Sequence, residues 1–397
     1  MGGGGGEGFK DQNAMRSGDL PGGGRSMRYS RRRAGAPQAS VGGREVSRRR
    51  QGASRKVKER GAGSVNDTNR QIVLAQIPQE KLAESHFELR RGDVPSPGEG
   101  EVLLRTRYIS LDAANRAWMQ GATYRSALSA GQVMAGGALA EVVESRAGHL
   151  APGDLVFADT GWQDYAVLRA GRLAKLPATE PVSHLLSVYG IAGLTAYFGL
   201  LKCGRPRAGE TVVVSAAGGS VGSLVGQIAK IKGCRTIGIA GGAAKCALLT
   251  TELGFDGAVD YKAGDTRRAL RAACPDGISV YFDNVGGDVL EACLFNMAEH
   301  GRIACCGAVS QYDGAAPAHG PRGVPGLIVT RRLTLTGFVV MDFDDEREAA
   351  LADLKSWVES GALKVREDIF EGLESLPRAL VGLLAGDNVG KRMVKVI

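Results

Sequence analysis

No run of about 18 apolar residues occurs anywhere in the chain, so no membrane-spanning helix is expected. Cysteine is scarce and lopsided: all seven lie at or after Cys203, and none forms a C-x-x-C pair. An odd number without a secretory leader reads as reduced thiols in a cytoplasmic protein. Cys305 and Cys306 are neighbours and point to opposite faces if they lie in a strand. Metal ligands are short as well. A catalytic zinc needs Cys, His or carboxylate side chains, yet residues 67–186 hold no cysteine and only His86, His149 and His184. No Gly-His-Glu follows Gln132-Val133-Met134-Ala135-Gly136-Gly137, and there is no four-cysteine structural loop. No metal is expected.

A net acidic balance is also missing, but the basic excess belongs to one end. The net charge is +8; residues 1–70 carry 16 Lys and Arg against 6 Asp and Glu, a local +10 that leaves −2 for the remaining 327 residues. Residues 1–66 are rich in Gly, Arg and Ser without apolar periodicity, and are expected to form a disordered basic tail. Arg31-Arg32-Arg33 and Arg48-Arg49-Arg50 could contact nucleic-acid phosphates. Glycines and acids argue against a transit peptide, and Gly6 stands where a myristoylation signal wants Ser or Thr. A solvated tail is the favoured reading, so nucleic acid is not an expected partner of the folded body.

What the chain does have is centred on Glu210 to Lys230. Val212-Val213-Val214 is a β-branched run suited to a strand covered on both faces. Gly218, Gly219 and Gly222 then allow a sharp turn and a close backbone approach, and Leu224, Val225 and Ile228 recur at helical spacing. Ala217 to Gly222 thus reads A-x-G-x-x-G between a strand and a helix, the context that makes this pattern a dinucleotide fingerprint. The helix N-terminus offers unpaired N–H groups and a positive dipole end to a pyrophosphate. Before it, Ile72 to Leu74, Val102 to Thr106, Leu139 to Glu144 and Leu155 to Phe157 read as short strands divided by Pro/Gly turns. After it, strands at Thr236–Ala240, Ala258–Tyr261, Val280–Asp283, Ile303–Cys306 and Leu333–Phe338 alternate with helices. These helices cover Ala243–Leu253, a segment from Thr266, Val289–Glu299 closed by Gly301, and Arg347–Glu359. The expectation is an α/β protein with a doubly wound parallel sheet and a second, mostly β domain that the C-terminal segment rejoins.

An acid about 20 residues past the glycines would bind a ribose 2′-hydroxyl. That window, Ile239 to Lys245, holds no acid and one lysine. Lys245 would attract a 2′-phosphate, so NADP(H) is favoured over NAD(H); the alternative is a solvated lysine on a helix face.

Three stretches resemble one family: Gly193 to Leu200, Ala216 to Lys230, and Tyr281-Phe282-Asp283-Asn284-Val285-Gly286-Gly287. They are similar to the medium-chain dehydrogenases/reductases. With Cys306 to Tyr312, Gly337 to Val340 and Asn388-Val389-Gly390-Lys391, they resemble the zinc-independent leukotriene B4 12-hydroxydehydrogenase / prostaglandin reductase (alkenal/one reductase) group. The likeness covers roughly residues 70–397. It implies a GroES-like catalytic domain at 67–186 and 365–397, with a Rossmann NADP-binding domain at 187–364 inserted between. It implies a homodimer, and NADP(H) contacts at Gly219, Ser220, Val221, Gly222, Lys245, Tyr261 and Asn284. Further contacts are implied at Cys306, Gly307, Ala308, Val309, Ser310, Gln311, Tyr312, Phe338, Val339, Val340 and Asn388. Two motifs depart from the family. Its Asp-Pro-Tyr-Met-Arg is Asp112-Ala113-Ala114-Asn115-Arg116 here, and its Met-Pro-Gly is Ile191-Ala192-Gly193.

The implied reaction is NADPH-dependent reduction of the C=C bond of an α,β-unsaturated aldehyde or ketone. Hydride goes to the β-carbon and charge develops on the carbonyl oxygen, which needs a preorganised donor in the absence of a metal. Tyr312 matches the family tyrosine proposed for that role beside the nicotinamide ribose; the plain alternative is a structural loop tyrosine. Trp162 and Tyr165 are candidates for a substrate pocket, although buried aromatics are more often core. Arg116 either holds substrate or pairs with Asp112. Quinone reduction on the same fold, or an NADPH-binding protein with a nucleic-acid-binding tail, are the competing functions.

Overall fold

The computed structural model describes residues 68–121, 123, 125–314 and 320–397. The basic tail expected at 1–66 lies outside them. The described residues open with the antiparallel pair β1 (Thr68–Leu74) and β2 (Phe87–Asp93). Then come β3 (Glu101–Ser110), helix α1 (Ala114–Gln120), β4 (Ala138–Ser145), β5 (Leu155–Ala158) and β6 (Tyr165–Arg169). β3 is the centre of this region and pairs with β4 and β6. It sends Val102 and Leu104 into one apolar cluster and Ile109 into another.

The middle of the chain alternates helix and strand: α2 (Ile191–Phe198), β7 (Thr211–Val214), α3 (Gly222–Ile231), β8 (Arg235–Ala240), α4 (Ala243–Thr251) and β9 (Gly257–Asp260). It continues through α5 (Thr266–Ala273), β10 (Ile278–Asp283), α6 (Gly287–Leu294), β11 (Met297–Cys305), α7 (Val324–Arg331), β12 (Thr334–Gly337) and α8 (Arg347–Glu359). The six strands form one sheet in the order β12-β11-β10-β7-β8-β9, and every pair in it is parallel. β7 explains the β-branched run. Successive strand side chains face opposite ways, so Val212 and Val214 enter the core shared with α2, α3 and α8, while Val213 enters the one shared with α5 and α6. Layers on both faces are what an all-parallel sheet requires.

The last elements, β13 (Glu367–Glu371), α9 (Leu376–Leu384) and β14 (Lys391–Lys395), return to the first region. β14 pairs antiparallel with β3, setting Val394 against Ile109. The return is pinned where it leaves the parallel sheet. The Gln227 side chain on α3 donates to the Lys364 carbonyl (3.0 Å) and accepts the Lys364 N–H (2.8 Å). The Ser183 and Ser187 hydroxyls both donate to Glu367, at 2.6 and 2.5 Å.

Two expectations need correction. The helix expected over Val289–Glu299 stops at Leu294, because the Asn296 side chain donates to the Ala292 carbonyl (2.8 Å) and ends it. Residues from Met297 are strand, and Gly301 lies within β11, where the register to β10 slips. The sharp turn after β7 is made by Ala216 (φ 46), not by a glycine. The nearby glycines serve close approach instead: a Cβ on Gly222 would stand 2.4 Å from the Ala216 carbonyl oxygen.

Candidate active site

In a doubly wound sheet, ligands gather outside the carboxyl ends of the strands, at the point where strand order reverses. Here the order reverses between β7 and β10, and the residues singled out for NADP(H) follow the carboxyl ends of all six strands. Gly219 to Gly222 follow β7, Lys245 follows β8, Tyr261 follows β9, Asn284 follows β10, Cys306 to Tyr312 follow β11, and Phe338 to Val340 follow β12. Asn388 joins them from the C-terminal return.

The β7–α3 turn is tied across the reversal point. Asn284 donates its amide to the Ser215 carbonyl (2.8 Å), and its backbone N–H bonds the Ser215 hydroxyl (2.9 Å). From the other side, the Gly390 N–H bonds the Gly218 carbonyl (2.8 Å). The Ser220 hydroxyl oxygen is buried and has no hydrogen-bond partner among the described residues. It sits just before the N-terminus of α3, where the Ser223 and Leu224 N–H groups already bond the Gly219 and Val221 carbonyls (3.1 Å each) and the positive end of the helix dipole remains. An unsatisfied hydroxyl, the positive end of a helix dipole and a glycine cradle suit an anionic diphosphate, so the residues present fit a dinucleotide.

Lys245 stands on α4 beside this turn. Its ammonium donates to the Asn388 carbonyl (2.7 Å) and to the Gly386 carbonyl. Two of its three protons are thus engaged and one is left for an anion. Burial draws its pKa below the ordinary lysine value of 10.5, with Asp387 opposing that shift. Tyr261, 43% exposed, bonds through its N–H to the Ala240 carbonyl (3.2 Å).

The loop after β11 is hung on a buried carboxylate that sequence reading missed. Asp283 Oδ1 accepts from the Tyr281 hydroxyl (2.7 Å), the Gly286 N–H (2.9 Å), the Val285 N–H (3.0 Å) and the Ser215 hydroxyl (3.2 Å). The Asp283 carbonyl accepts from the Cys306 and Gly307 N–H groups at 2.8 and 3.1 Å. The sequence signals were an acid closing an apolar strand, Tyr281-Phe282-Asp283, and its place in the family-like stretch Tyr281 to Gly287. Burial, reinforced by the Asp283 charge, pushes the Cys306 thiol up to about 12 and the Cys305 thiol to about 11. Burial thus favours the protonated thiol at both positions.

Tyr312 is half-buried on this loop. Its hydroxyl oxygen accepts the Ala308 N–H (3.2 Å), and among the described residues its own proton has no acceptor. Arg116 does not pair with Asp112. It is 1% exposed and donates from Nε to Asp313 (3.0 Å), the residue after Tyr312. Asp112 instead accepts from Lys391 (2.5 Å) and from the Ser110 hydroxyl (2.7 Å). Trp162 and Tyr165 are 0% and 1% exposed. Trp162 stacks on Phe87 with ring centroids 5.3 Å apart, which places it in the core of the β region and not on an open pocket.

Fold and site together define a dinucleotide-dependent oxidoreductase with a separate β domain. Residues 70–176 match the family model described as the N-terminal domain of oxidoreductase, and residues 220–356 match the one described as zinc-binding dehydrogenase. Despite that second description, no group of three or more His, Cys, Asp or Glu among the described residues could hold a metal ion. Prostaglandin reductase 1 of Rattus norvegicus is 43% identical over 318 residues, 79% of this chain and 94% of the relative. The NADPH-dependent curcumin reductase of Escherichia coli is 42% identical over 340 residues, 84% of this chain and 99% of the relative. The crystal structure of CurA from Vibrio vulnificus in complex with NADPH aligns with a TM-score of 0.79 at 40% identity, covering 83% of this chain and 99% of CurA. The chain belongs to the zinc-independent medium-chain dehydrogenases/reductases, in the prostaglandin reductase (alkenal/one reductase) group.

Proposed function

We propose that this protein reduces the C=C bond of α,β-unsaturated aldehydes and ketones with NADPH. The observation that carries the reading is the ring of loops after all six parallel strands, with Tyr312, a donor-capable phenol, on the one after β11. When bound, NADPH supplies the hydride. The chain's part is to hold, orient and stabilise. Gly219, Ser220, Val221 and Gly222 would take the diphosphate, and Lys245 the 2′-phosphate. Tyr261, Asn284, Cys306 to Gln311, Phe338, Val339, Val340 and Asn388 would line the rest of the cofactor. Tyr312 would donate its proton in a hydrogen bond to the oxygen on which enolate charge develops.

Residues 67–186 and 365–397 would form the catalytic domain around 187–364, a division supported by the pairing of β14 with β3. The chain would act as a homodimer through the open edge at β12. Around that edge Val329, Leu335, Val339 and Met341 are 74%, 36%, 42% and 48% exposed, an apolar surface at an unpaired strand of the kind that partners cover. A cytoplasmic setting accords with seven free cysteines and, among the described residues, no helix long and apolar enough to cross a membrane.

The test is a panel of enals, enones and quinones with NADPH and NADH, followed by absorbance. Turnover of enals and enones with NADPH is expected; turnover of quinones alone would replace this reading with the quinone reductase.

A further inference from the structure

Arg116 is a cation with almost no contact to water, and such a charge must be paired and hydrogen-bonded to be tolerated. Its Nε donates to Asp313 Oδ1 (3.0 Å), while Nη2 donates to the carbonyls of Glu80 (2.7 Å) and Pro78 (3.4 Å). The same Asp313 oxygen accepts the Leu82 N–H (2.8 Å). Asp313 therefore fastens the loop, one residue beyond Tyr312, to two parts of the β domain, helix α1 and the segment between β1 and β2. The beginning of the loop is fastened to the parallel sheet, where the Val309 N–H bonds the Asn284 carbonyl (3.2 Å) and the Ser310 hydroxyl bonds the Val285 carbonyl (2.6 Å). Tyr312 thus sits between an anchor to the residues after β10 and, one residue on, an anchor to α1 and the β1–β2 segment.

We propose that Arg116 and Asp313 are positioning residues for Tyr312: their ion pair, buried on the Arg116 side, ties the Tyr312 loop to the β domain and sets where the phenol points. The assignment rests on Tyr312 being the enolate donor. Neither residue touches the reacting atoms. Their effect passes through the placement of one hydroxyl, and a misplacement of about 1 Å can cost up to about 100-fold in rate.

The test uses the full-length enzyme with NADPH and a simple enone. Asp313→Asn keeps the shape and an acceptor but removes the charge; Arg116→Lys keeps the charge but loses the fork. Each is expected to lower kcat about 10- to 100-fold with the KM for NADPH little changed, and to add no further loss in a Tyr312→Phe background. Hydrogen exchange should be faster at amides 308–312 in Asp313→Asn. Full kcat in both single variants would overturn the proposal. So would equal losses in the Tyr312 and Tyr312→Phe backgrounds, which would mark a merely structural pair. Should Tyr312→Phe by itself keep full kcat, the reading of Tyr312 falls, and exchange alone then judges the tie: faster exchange at 308–312 upholds it and unchanged exchange overturns it.

Discussion

Among the described residues the Tyr312 hydroxyl takes one hydrogen bond, from the Ala308 N–H, and has one to give. Tyr312→Phe removes that donor together with the acceptor of the Ala308 N–H, and the donor matters most when charge has developed, so kcat should fall more than substrate binding changes. The expected drop is roughly 10- to 1,000-fold, with NADPH affinity and melting temperature nearly unchanged; stopped-flow and steady-state kinetics on an enone would read it, and an unaltered kcat would leave Tyr312 a structural residue. Lys245 offers a second residue-scale prediction. Lys245→Ala should raise the KM for NADPH by an equivalent of about 1.5–3 kcal/mol and spare NADH. Only the protonated ammonium attracts a phosphate, and its folded pKa lies below 10.5. NADPH affinity should therefore hold at neutral pH and weaken as pH rises through that lowered value, while NADH affinity stays level over the same range.

The β7–α3 turn depends on backbone contact that a side chain would block. A Cβ on Gly222 would meet the Ala216 carbonyl at 2.4 Å and Ala217 Cα at 2.9 Å, and backbone cannot step aside cheaply. Gly222→Ala should destabilise the protein by about 1–3 kcal/mol and weaken NADPH binding; a urea midpoint and cofactor affinity matching the parent would show that the turn relaxes. The same turn shows what the sequence could disclose. The order strand, glycine turn, helix was legible because Val212 to Val214 and Leu224, Val225 and Ile228 change period at the glycines. The positive φ of Ala216 was not, since alanine carries no mark for it. Helix α6 was read too long because Leu294, Phe295 and Met297 continue an apolar run, and the polar residue that ends it, Asn296, acts through hydrogen bonds that periodicity does not register. The site was legible as far as its residues come in local motifs. Arg116 with Asp313, and Asp112 with Lys391, meet across 197 and 279 residues, and no local pattern names such partners.

At the scale of the whole molecule, acid should act through paired carboxylates. Burial raises Asp112, Glu141, Glu210 and Asp256, but Lys391 for Asp112, Arg105 and Arg107 for Glu141, Arg302 for Glu210 and Lys230 for Asp256 outweigh it. Each ends below its ordinary value of 3.8 for Asp or 4.5 for Glu. Their stabilisation is complete above the unfolded values and is lost as pH falls through the folded ones. The urea midpoint should stay level from neutrality to about pH 5 and fall in more acidic solution; a rise on acidification would contradict this. The exposed edge at β12 makes a second whole-molecule prediction: Leu335→Lys should shift the light-scattering mass from two chains to one, whereas a parent that is already a monomer would remove the interface. The central claim is hydride delivery to a C=C bond, and it is tested most directly by NMR of the product made from an acyclic enone and NADPH deuterated at the transferable position. The account predicts a saturated ketone with deuterium on the β-carbon; an allylic alcohol with deuterium on the carbinol carbon, or no product at all, would contradict it.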